Sequence, residues 1–395
     1  ALIAMILDRI TSGLAKNSVT YKPREKSFLK RNKYWFVAII GVITLYFLSY
    51  FFPIFNEWPE SFFASPANII SNGLDTFIFN FGSQIDYFKQ IAFFFIMLPI
   101  KIGLQFSVSP YTWGFELTPT LVSGYFIFMG LLAIWLFIRG SKNLSIGIIL
   151  FSIFFYFGLT NMPWLPLILI YGLIGYKIGG LSLALSIILG LSFITLTGVL
   201  PQALLSIYLC GIAVIVSFLI GSSLGIWAAH NDRVSAFMRP INDTMQTMPS
   251  FVILIPFVMI FKIGEFTALL AIIAYAFVPA MRYTEHGLRN LPETVVEAAK
   301  MIGCSNSQLL WKVKIPLAFP VIMLGLNQTI MFGLAMLVIA ALVGTTGLGQ
   351  LIYIGLSKAN FGLGMIAGVS IAIIAILFDR VTQALKIKLE KNYNR

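Results

Sequence analysis

The sequence has 395 residues, of which 58% are hydrophobic and only 11% are charged. Soluble domains carry about 25% charged residues, so this composition excludes an ordinary water-soluble fold. The net charge of +12 falls in short segments between apolar runs, which is typical of cytoplasmic loops in membrane proteins and argues against nucleic-acid binding. The length predicts an all-α integral membrane protein, a polytopic bundle of about ten transmembrane helices.

The first third of the chain alternates between basic, apolar and acidic segments. Residues 1–33 are basic and predict a cytoplasmic tail that contacts anionic lipid. The apolar run at 34–54 ends in interfacial aromatic residues and predicts the first transmembrane helix. Residues 55–119 hold more acids than cations, which places them outside the cell. Their apolar stretch at 67–105 is interrupted by polar residues and predicts external amphipathic scaffold helices; the alternative is that 88–107 spans the membrane.

The remaining apolar segments predict accessory transmembrane helices within 120–197, a core within 198–385 and a second cytoplasmic tail at 386–395. Alternation from an internal N-terminus puts the basic loops and both termini in the cytoplasm. The apolar segments lie near 120–138, 144–160, 164–177, 180–197, 203–228, 249–262, 266–281, 316–343 and 364–384.

The longest polar stretch in the second half of the chain is basic, and therefore cytoplasmic. Within it, Pro292 suits a first helical turn and Gly303 suits a left-handed C-terminal cap. Ser305 or Ser307 can cap a second helix, which should end before Pro316. These residues predict a helix, a glycine turn and another helix, all presented to the cytoplasm.

The same stretch contains a spaced motif. After Glu297-Ala298-Ala299 come three residues, a glycine, nine residues and Val313-Lys314-Ile315-Pro316. This pattern resembles the EAA loop of binding-protein-dependent ABC importer permeases, where the usual ending is Ile-x-Leu-Pro. The resemblance implies that loop 282–315 couples the chain to a separate ATPase. The coupling residues that it implies are Glu297, Ala298, Ala299, Gly303 and Pro316.

Three other segments, 243–252, 327–331 and 378–383, look like the permeases for glycine betaine, proline betaine, choline and carnitine. This resemblance covers roughly 180–390 and implies a MetI-like core that takes up quaternary ammonium or methylated amine osmolytes, a class that includes trimethylamine N-oxide and dimethylsulfoniopropionate. The alternatives are another small solute, such as an amino acid, or an ion-coupled secondary transporter. The helix pair near 144–177 has no counterpart in the short members of the family.

The chain contains no Gly-Lys dipeptide and hence no P-loop. We therefore expect a transport subunit and not an enzyme, with ATP and magnesium bound by the partner. The resemblance implies two copies of this permease, two ATPase subunits and an extracytoplasmic substrate-binding protein, in a bacterial inner membrane. The cysteines and histidines are isolated, so we expect no catalytic residue, cofactor or metal site in this chain.

Polar groups inside a membrane tend to face a cavity or a partner helix, and aromatic faces can hold a quaternary ammonium group. For each candidate taken singly, helix packing is at least as good an explanation. Gly221, Ser222 and Gly225 indicate a close-packing face before anything else. The candidates for the translocation path are Thr247, Met248, Pro249, Phe251, Tyr275, Asn327, Gln328, Met331 and Phe332.

Overall fold

The computed structural model describes residues 10–11, 33–52, 64–106 and 114–393. Most of the predicted N-terminal tail, and residues 53–63 and 107–113, lie outside these ranges. The chain divides into two compact units, Ala1–Gln84 and Ile85–Arg395. All regular structure in the described ranges is helical, as predicted. The helices are α1 (Lys33–Phe51), α2 (Ala64–Ala92, continuing through Phe93–Met97 and Leu98–Gln105), α3 (Pro119–Ile138), α4 (Lys142–Phe157), α5 (Trp164–Leu196), α6 (Leu200–His230), α7 (Asp232–Thr247), α8 (Ser250–Phe261), α9 (Glu265–Arg289), α10 (Glu293–Met301), α11 (Asn306–Gln308, continuing through Leu309–Lys314 and Ile315–Ala340), α12 (Leu348–Ser357) and α13 (Phe361–Tyr393).

The first unit contains α1 and the first part of α2. Helix α1 covers most of the segment 34–54, which was predicted to be the first transmembrane helix. Its apolar side chains are largely exposed, Tyr46 by 80% and Trp35 by 72%. Lipid tails are as apolar as these side chains, so such exposure is compatible with a membrane helix.

Helix α2 is continuous across its whole length and widens into a π-helical turn at Phe93–Met97. Pro99 follows at once. A proline has no N–H to donate and its ring crowds the carbonyl four residues earlier, which the wider turn accommodates. The stretch Asn68–Gln105 is long and apolar enough to cross a membrane, so the predicted surface placement is not confirmed.

Helices α3 and α4 form an antiparallel hairpin. The Ser145 hydroxyl donates to the Ala133 carbonyl (2.7 Å), and the Tyr125 hydroxyl donates to the Ser152 carbonyl (3.3 Å). Ser145 and Ser152 are nearly the only buried side chains of α4. The two helices therefore touch along a narrow seam and expose the rest of their surfaces.

Helix α5 is a hairpin in itself. Gly180 adopts φ 78° and ψ −166°, which breaks the helix. The halves then fold back on each other, because a Cβ at Gly172 would lie 2.8 Å from the Ile188 side chain, and a Cβ at Gly175 would lie 2.5 Å from that of Ile187. Two segments, 164–177 and 180–197, were predicted here, and the antiparallel halves match them.

Helices α6, α9 and α11 form the buried core. Helices α6 and α9 cross so closely that a Cβ at Gly221 would lie 2.5 Å from the Phe277 carbonyl oxygen, and a Cβ at Gly225 would lie 2.6 Å from that of Met281. On α11, a Cβ at Gly333 would lie 3.0 Å from the Val214 side chain. The predicted close-packing face of α6 is thereby confirmed, since small residues let backbones approach.

Two helices were not predicted, α7 and α12. The polar sequence of α7 predicts a loop, yet the Asn231 side chain caps a helix there by accepting from the backbone N–H groups of Arg233 and Val234. The second follows Gly347, whose φ of 131° turns the chain. The Leu348 N–H then donates to the Ser206 hydroxyl (2.8 Å), which ties α12 to α6.

The number of spans, predicted as about ten, is not confirmed. Within the described ranges, seven helices are long and apolar enough to cross a membrane. The bent pair Asp232–Thr247 and Ser250–Phe261 would make eight. Three shorter apolar helices, Trp35–Phe51, Lys142–Phe157 and Leu348–Ser357, fall below that length.

The basic loops after α3 gather at one end of the second unit. The Lys177 ammonium donates to the Asn143 amide oxygen (2.7 Å), and the Lys388 ammonium donates to the Lys177 carbonyl (3.2 Å). At the other end of α9, Glu265 pairs with Lys101 (2.5 Å) of helix α2. Three of the segments predicted to be internal, near residues 143, 177 and 388, therefore meet at one end of the bundle.

Candidate functional site

The EAA-like segment, residues 291–316, begins with helix α10. Gly303 has φ 87°, and its N–H donates to the Lys300 carbonyl (3.0 Å) while the Cys304 N–H donates to the Ala299 carbonyl (3.2 Å). These two bonds form a Schellman motif, in which glycine takes the left-handed position at low cost. The predicted helix and glycine turn are confirmed.

Of the two serines predicted as caps, Ser305 is the one used. Its hydroxyl accepts from the Gln308 N–H, and the Gln308 side chain accepts from the Ser305 N–H, which completes a capping box. The expectation that this helix ends before Pro316 is wrong. A π-helical turn at Leu309–Lys314 precedes the proline and relieves its clash with the preceding turn, so α11 continues unbroken.

The EAA-like segment presents most of its motif to the surroundings. Glu297 and Ala298 are exposed, whereas Ala299 is only 8% exposed and packs into the chain. Among the described residues, no ion pair involves Glu297. The exposed apolar side chains of the segment are Val295, Met301, Ile302 and Trp311. This surface offers a carboxylate beside apolar side chains, as a partner-binding helix does.

A polar network ties α7 to the end of α9, directly before the EAA-like segment. Arg289 pairs with Asp232 (2.7 Å) and Glu285 (3.0 Å), and the Ser235 hydroxyl donates to Glu285 (2.5 Å). Arg289 also donates to the Ala228 carbonyl at the end of α6 (2.6 Å). Sequence reasoning missed this network because it read α7 as a loop; the Asn231 cap was the available indication.

The candidates Thr247, Met248, Pro249 and Phe251 lie at the bend between α7 and α8. The axes of the two helices differ by 103°, and Pro249 stands at the N-cap of α8. Thr247 and Met248 are partly buried, whereas Pro249 and Phe251 are exposed. Since Phe251 is exposed by 58%, a path lined by this bend needs a second surface to close it.

Tyr275 and Phe332 are brought together. Their rings stack at 5.2 Å between centroids with an interplanar angle of 29°, which joins α9 to α11. Met331 and Gln328, on the same helix as Phe332, are partly buried. The role of these four side chains in a path stays a prediction.

The Asn327 side chain points toward α13 and not toward the Tyr275–Phe332 pair. Its amide donates to the Asp379 carboxylate (2.6 Å), and its carbonyl oxygen accepts from the Thr382 hydroxyl (3.1 Å). Gln383 donates to the same carboxylate (2.8 Å). Asn327 therefore fastens α11 to α13, and the packing alternative describes it better than a place in the path. Asp379 was not among the predicted site residues, although its segment had been singled out.

No group of three or more metal-ligating side chains occurs among the residues that the structure describes. Cys210 is buried in α6 and Cys304 lies in the EAA-like segment, and both are free thiols.

Comparisons with known proteins identify a family and several relatives. The family model described as "Binding-protein-dependent transport system inner membrane component" matches residues 221–391. The chain is 39% identical over 226 residues to the glycine betaine/proline betaine transport system permease protein ProW of Escherichia coli (strain K12). That alignment covers 57% of this chain and 64% of ProW. It is 37% identical over 237 residues to the glycine betaine transport system permease protein OpuAB of Bacillus subtilis (strain 168). That alignment covers 60% of this chain and 84% of OpuAB.

A third relative is the trimethylamine N-oxide transport system permease protein TmoV of Pelagibacter ubique (strain HTCC1062), 44% identical over 217 residues, 54% of this chain and 30% of that protein. Among solved structures, a chain of the inward-facing MetNI methionine ABC transporter aligns with a TM-score of 0.43 and 21% identity over 47% of this chain and 93% of that one. The chain thus spans just under two thirds of the ProW sequence.

The apolar helices and the EAA-like segment together define a multi-pass membrane transport component. More particularly, the chain belongs to the family of binding-protein-dependent transport system inner membrane components.

Proposed function

We propose that this chain is the permease subunit of an ATP-driven importer for glycine betaine, choline and related quaternary ammonium or methylated amine osmolytes. The observation that carries the proposal is the EAA-like segment, where Gly303 closes a Schellman motif and Glu297 and Ala298 stay exposed. The names of the relatives, which concern glycine betaine, proline betaine and trimethylamine N-oxide, support this substrate class.

The proposed partner at the EAA-like segment is a cytoplasmic ATPase, which would bind ATP and magnesium. Coupling needs a rigid link, and the Arg289 network supplies one by fastening α7 to the last turn of α9. A push on α10 would therefore reach the bend at Met248 through α7. Two ATPase subunits, two permease copies and an extracytoplasmic binding protein would complete the assembly, with no catalytic residue, cofactor or metal in this chain.

The translocation path in this proposal lies between the two permease copies. Helix α8 supports this because its face at Phe251 and Ile255 is exposed by more than half in the single chain. The stacked pair of Tyr275 and Phe332 offers aromatic faces of the kind that attract a quaternary ammonium group. A weak site of this type would leave most of the selectivity to the binding protein.

The proposed placement has both termini in the cytoplasm of a bacterial inner membrane. The support is the meeting of Lys177, Asn143 and Lys388 at one end of the bundle, since basic loops favour the inside. Within this scheme residues 198–385 are the permease core, 120–197 the accessory helices and 55–119 the external scaffold segment.

Uptake by proteoliposomes tests the proposal. Vesicles that contain this permease and its ATPase, supplied with the binding protein and radiolabelled glycine betaine, should accumulate substrate only when ATP is present. Uptake driven by a sodium or proton gradient without ATP would favour the alternative of a secondary transporter. Accumulation of an amino acid, with none of a methylated amine, would overturn the substrate class.

The variant Glu297→Arg tests the docking surface in the same vesicles. Its matched control is Glu293→Arg, which makes the same charge change one turn away on the same helix. We expect Glu297→Arg to abolish ATP-driven uptake with the permease still folded, and Glu293→Arg to keep most of it. Gly303→Pro removes the N–H that closes the Schellman motif and should uncouple as well. Normal uptake by both Glu297→Arg and Gly303→Pro would exclude this segment as the coupling site.

A further inference from the structure

An apolar cavity lies between the hairpin α5, the core helix α6 and helix α13. Its volume is about 320 Å³, and it is lined almost entirely by aliphatic side chains. Tyr171 is the one side chain of its lining with a polar atom. The cavity therefore offers no carboxylate, amide or cation to a polar solute. Residues along its length include Leu167, Ile178, Leu191, Leu204 and Leu377.

The cavity is elongated along the bundle. On the first half of α5 its lining runs from Leu167 to Ile178, which at 1.5 Å per residue is about 16 Å. One leaflet of a bilayer contributes about 15 Å of hydrocarbon, half of its core of about 30 Å. The length of the cavity thus matches one extended acyl chain.

The cavity opens sideways. Ile174 on α5 and Phe378 on α13 stand at its rim, and each is exposed by 37%. Both residues belong to helices of the transmembrane bundle, so what lies outside this opening is the hydrocarbon of the membrane. A chain can enter from the bilayer without passing through water.

Two cations stand at one end of the same helices. Lys177 precedes Ile178 in the chain, and Lys388 lies two turns beyond Val381, which also lines the cavity. Both lysines are exposed. Their ammonium groups donate to the Asn143 amide and the Lys177 carbonyl, and in the described part of the chain neither pairs with a carboxylate. They are placed to receive an anionic headgroup.

We propose that this cavity binds a membrane glycerophospholipid. One acyl chain fills the space between α5 and the core, and the phosphate lies beside Lys177 and Lys388. The bound lipid completes the packing of the hairpin against the core, because a void of this size leaves its lining without contacts. A zwitterionic transport substrate would gain nothing there, since burying its charges without partners is costly.

Photolabelling of the full-length protein in vesicles tests the proposal. The probe is a phosphatidylglycerol with a diazirine at the end of one acyl chain, diluted into phosphatidylglycerol and phosphatidylcholine. Cross-linked peptides are mapped by mass spectrometry. We expect label on the lining residues near Leu167 and Leu204, as well as on the outward face of α5.

Leu191→Trp fills the cavity and Ile174→Trp obstructs its rim. The matched control is Leu189→Trp on the same helix, whose native side chain is 70% exposed. Both cavity variants should lower labelling of the lining by about tenfold, a change of about 1.4 kcal/mol in affinity, and the control should leave it unchanged. Because Ile174 lies at the rim, its variant still tests the proposal if Leu191→Trp fails to fold.

The headgroup is tested separately with Lys177→Gln and Lys388→Gln together. Native mass spectrometry should show retained phosphatidylglycerol in the unaltered protein, and a loss of the preference over phosphatidylcholine in the double variant. Three results would overturn the proposal. These are label confined to the outward face of α5, equal labelling of the lining in the tryptophan variants, or cross-links that join a second copy of the chain across the cavity.

Discussion

The core helices and the accessory hairpin α3–α4 have similar hydropathy but very different packing. Mean hydropathy is 2.6 in the most apolar window of α6 and 2.3 in that of α3, yet 56% of the first window is buried and only 6% of the second. At Gly225 of α6 an added Cβ would meet backbone, whereas at Gly130 of α3 it would meet nothing within 4 Å. The core is therefore packed within the chain, whereas most of the hairpin surface stays exposed. Hydropathy alone does not distinguish these two environments.

The largest expected effect comes from glycine substitutions in the two regions. Gly225→Leu would drive a side chain into the Met281 carbonyl, 2.6 Å from the new Cβ, and should cost more than about 4 kcal/mol or prevent folding. Gly130→Leu should be neutral or should stabilise by up to about 1 kcal/mol, because glycine is a poor helix former. Thermal unfolding in detergent measures both. Equal losses of stability would contradict the difference in packing.

The next effect compares two ion pairs at the Glu265 end of the bundle. Lys101 and Glu265 are 2.5 Å apart, with side chains 22% and 13% exposed, whereas Lys262 and Asp86 are 3.5 Å apart, with side chains 70% and 47% exposed. Lys101→Met should lower the free energy of unfolding by about 1–3 kcal/mol, because it removes a donor from a carboxylate that is only partly exposed. Tyr208 and Thr346 still donate to Glu265, which limits the loss.

Lys262→Met is the control for that variant and should cost less than about 1 kcal/mol, as exposed pairs do. Chemical denaturation of both proteins in the same detergent gives the comparison. If Lys262→Met were the more damaging of the two, the anchoring of α2 through Glu265 would be refuted.

A smaller effect should distinguish a packing role of Asn327 from a transport role of its neighbour Gln328. Asn327→Leu removes the hydrogen bonds to Asp379 and Thr382 and should cost about 1–2 kcal/mol, with the KM for uptake unchanged. Gln328→Leu should alter stability by less than about 0.5 kcal/mol but should raise the KM. Unfolding and uptake assays on both variants decide the matter. A raised KM in Asn327→Leu alone would return Asn327 to the path.

The smallest effect concerns two glycines with positive φ, Gly303 at 87° in the EAA-like segment and Gly140 at 83° between α3 and α4. Alanine at either position should cost about 1 kcal/mol, because the left-handed conformation strains a side chain. Only Gly303→Ala should also reduce the stimulation of the ATPase by the permease. Loss of stimulation in Gly140→Ala would show that general instability is the cause.

Several local features were predictable because they depend on neighbouring residues. The sequence predicts a left-handed Gly303 and a helix capped by Ser305 or Ser307. Gly303 is left-handed and Ser305 is the cap. Helix α7 was missed because its apolar residues are few, and its stability comes from contacts of Asp232 and Ser235 with residues more than 45 positions away. The continuation of α11 through Pro316 was missed because the breaking effect of proline was weighed without the π-helical turn that absorbs it.

For the candidate path residues too, the sequence indicated the residue types, and only the structure showed their contact partners. The aromatic candidates Tyr275 and Phe332 were chosen by residue type, and the fold stacks them. Asn327 was chosen because a polar group in an apolar helix needs a partner, but nothing local could tell that the partner is Asp379 of α13. A helix has several faces, and only packing decides which neighbour each face meets.

Composition and the spacing of apolar runs by themselves determined that this is a helical membrane protein. The EAA-like motif located the exposed helix and glycine turn at 291–316, since capping and turn conformation depend on a few neighbouring residues. Tertiary structure alone decided which apolar faces are buried within the chain and which stay exposed. It also decided that α5 folds back at Gly180 and that a cavity remains beside it. Lipid tails and protein interiors are equally apolar. Hydropathy therefore cannot predict which apolar helix faces are buried within the chain.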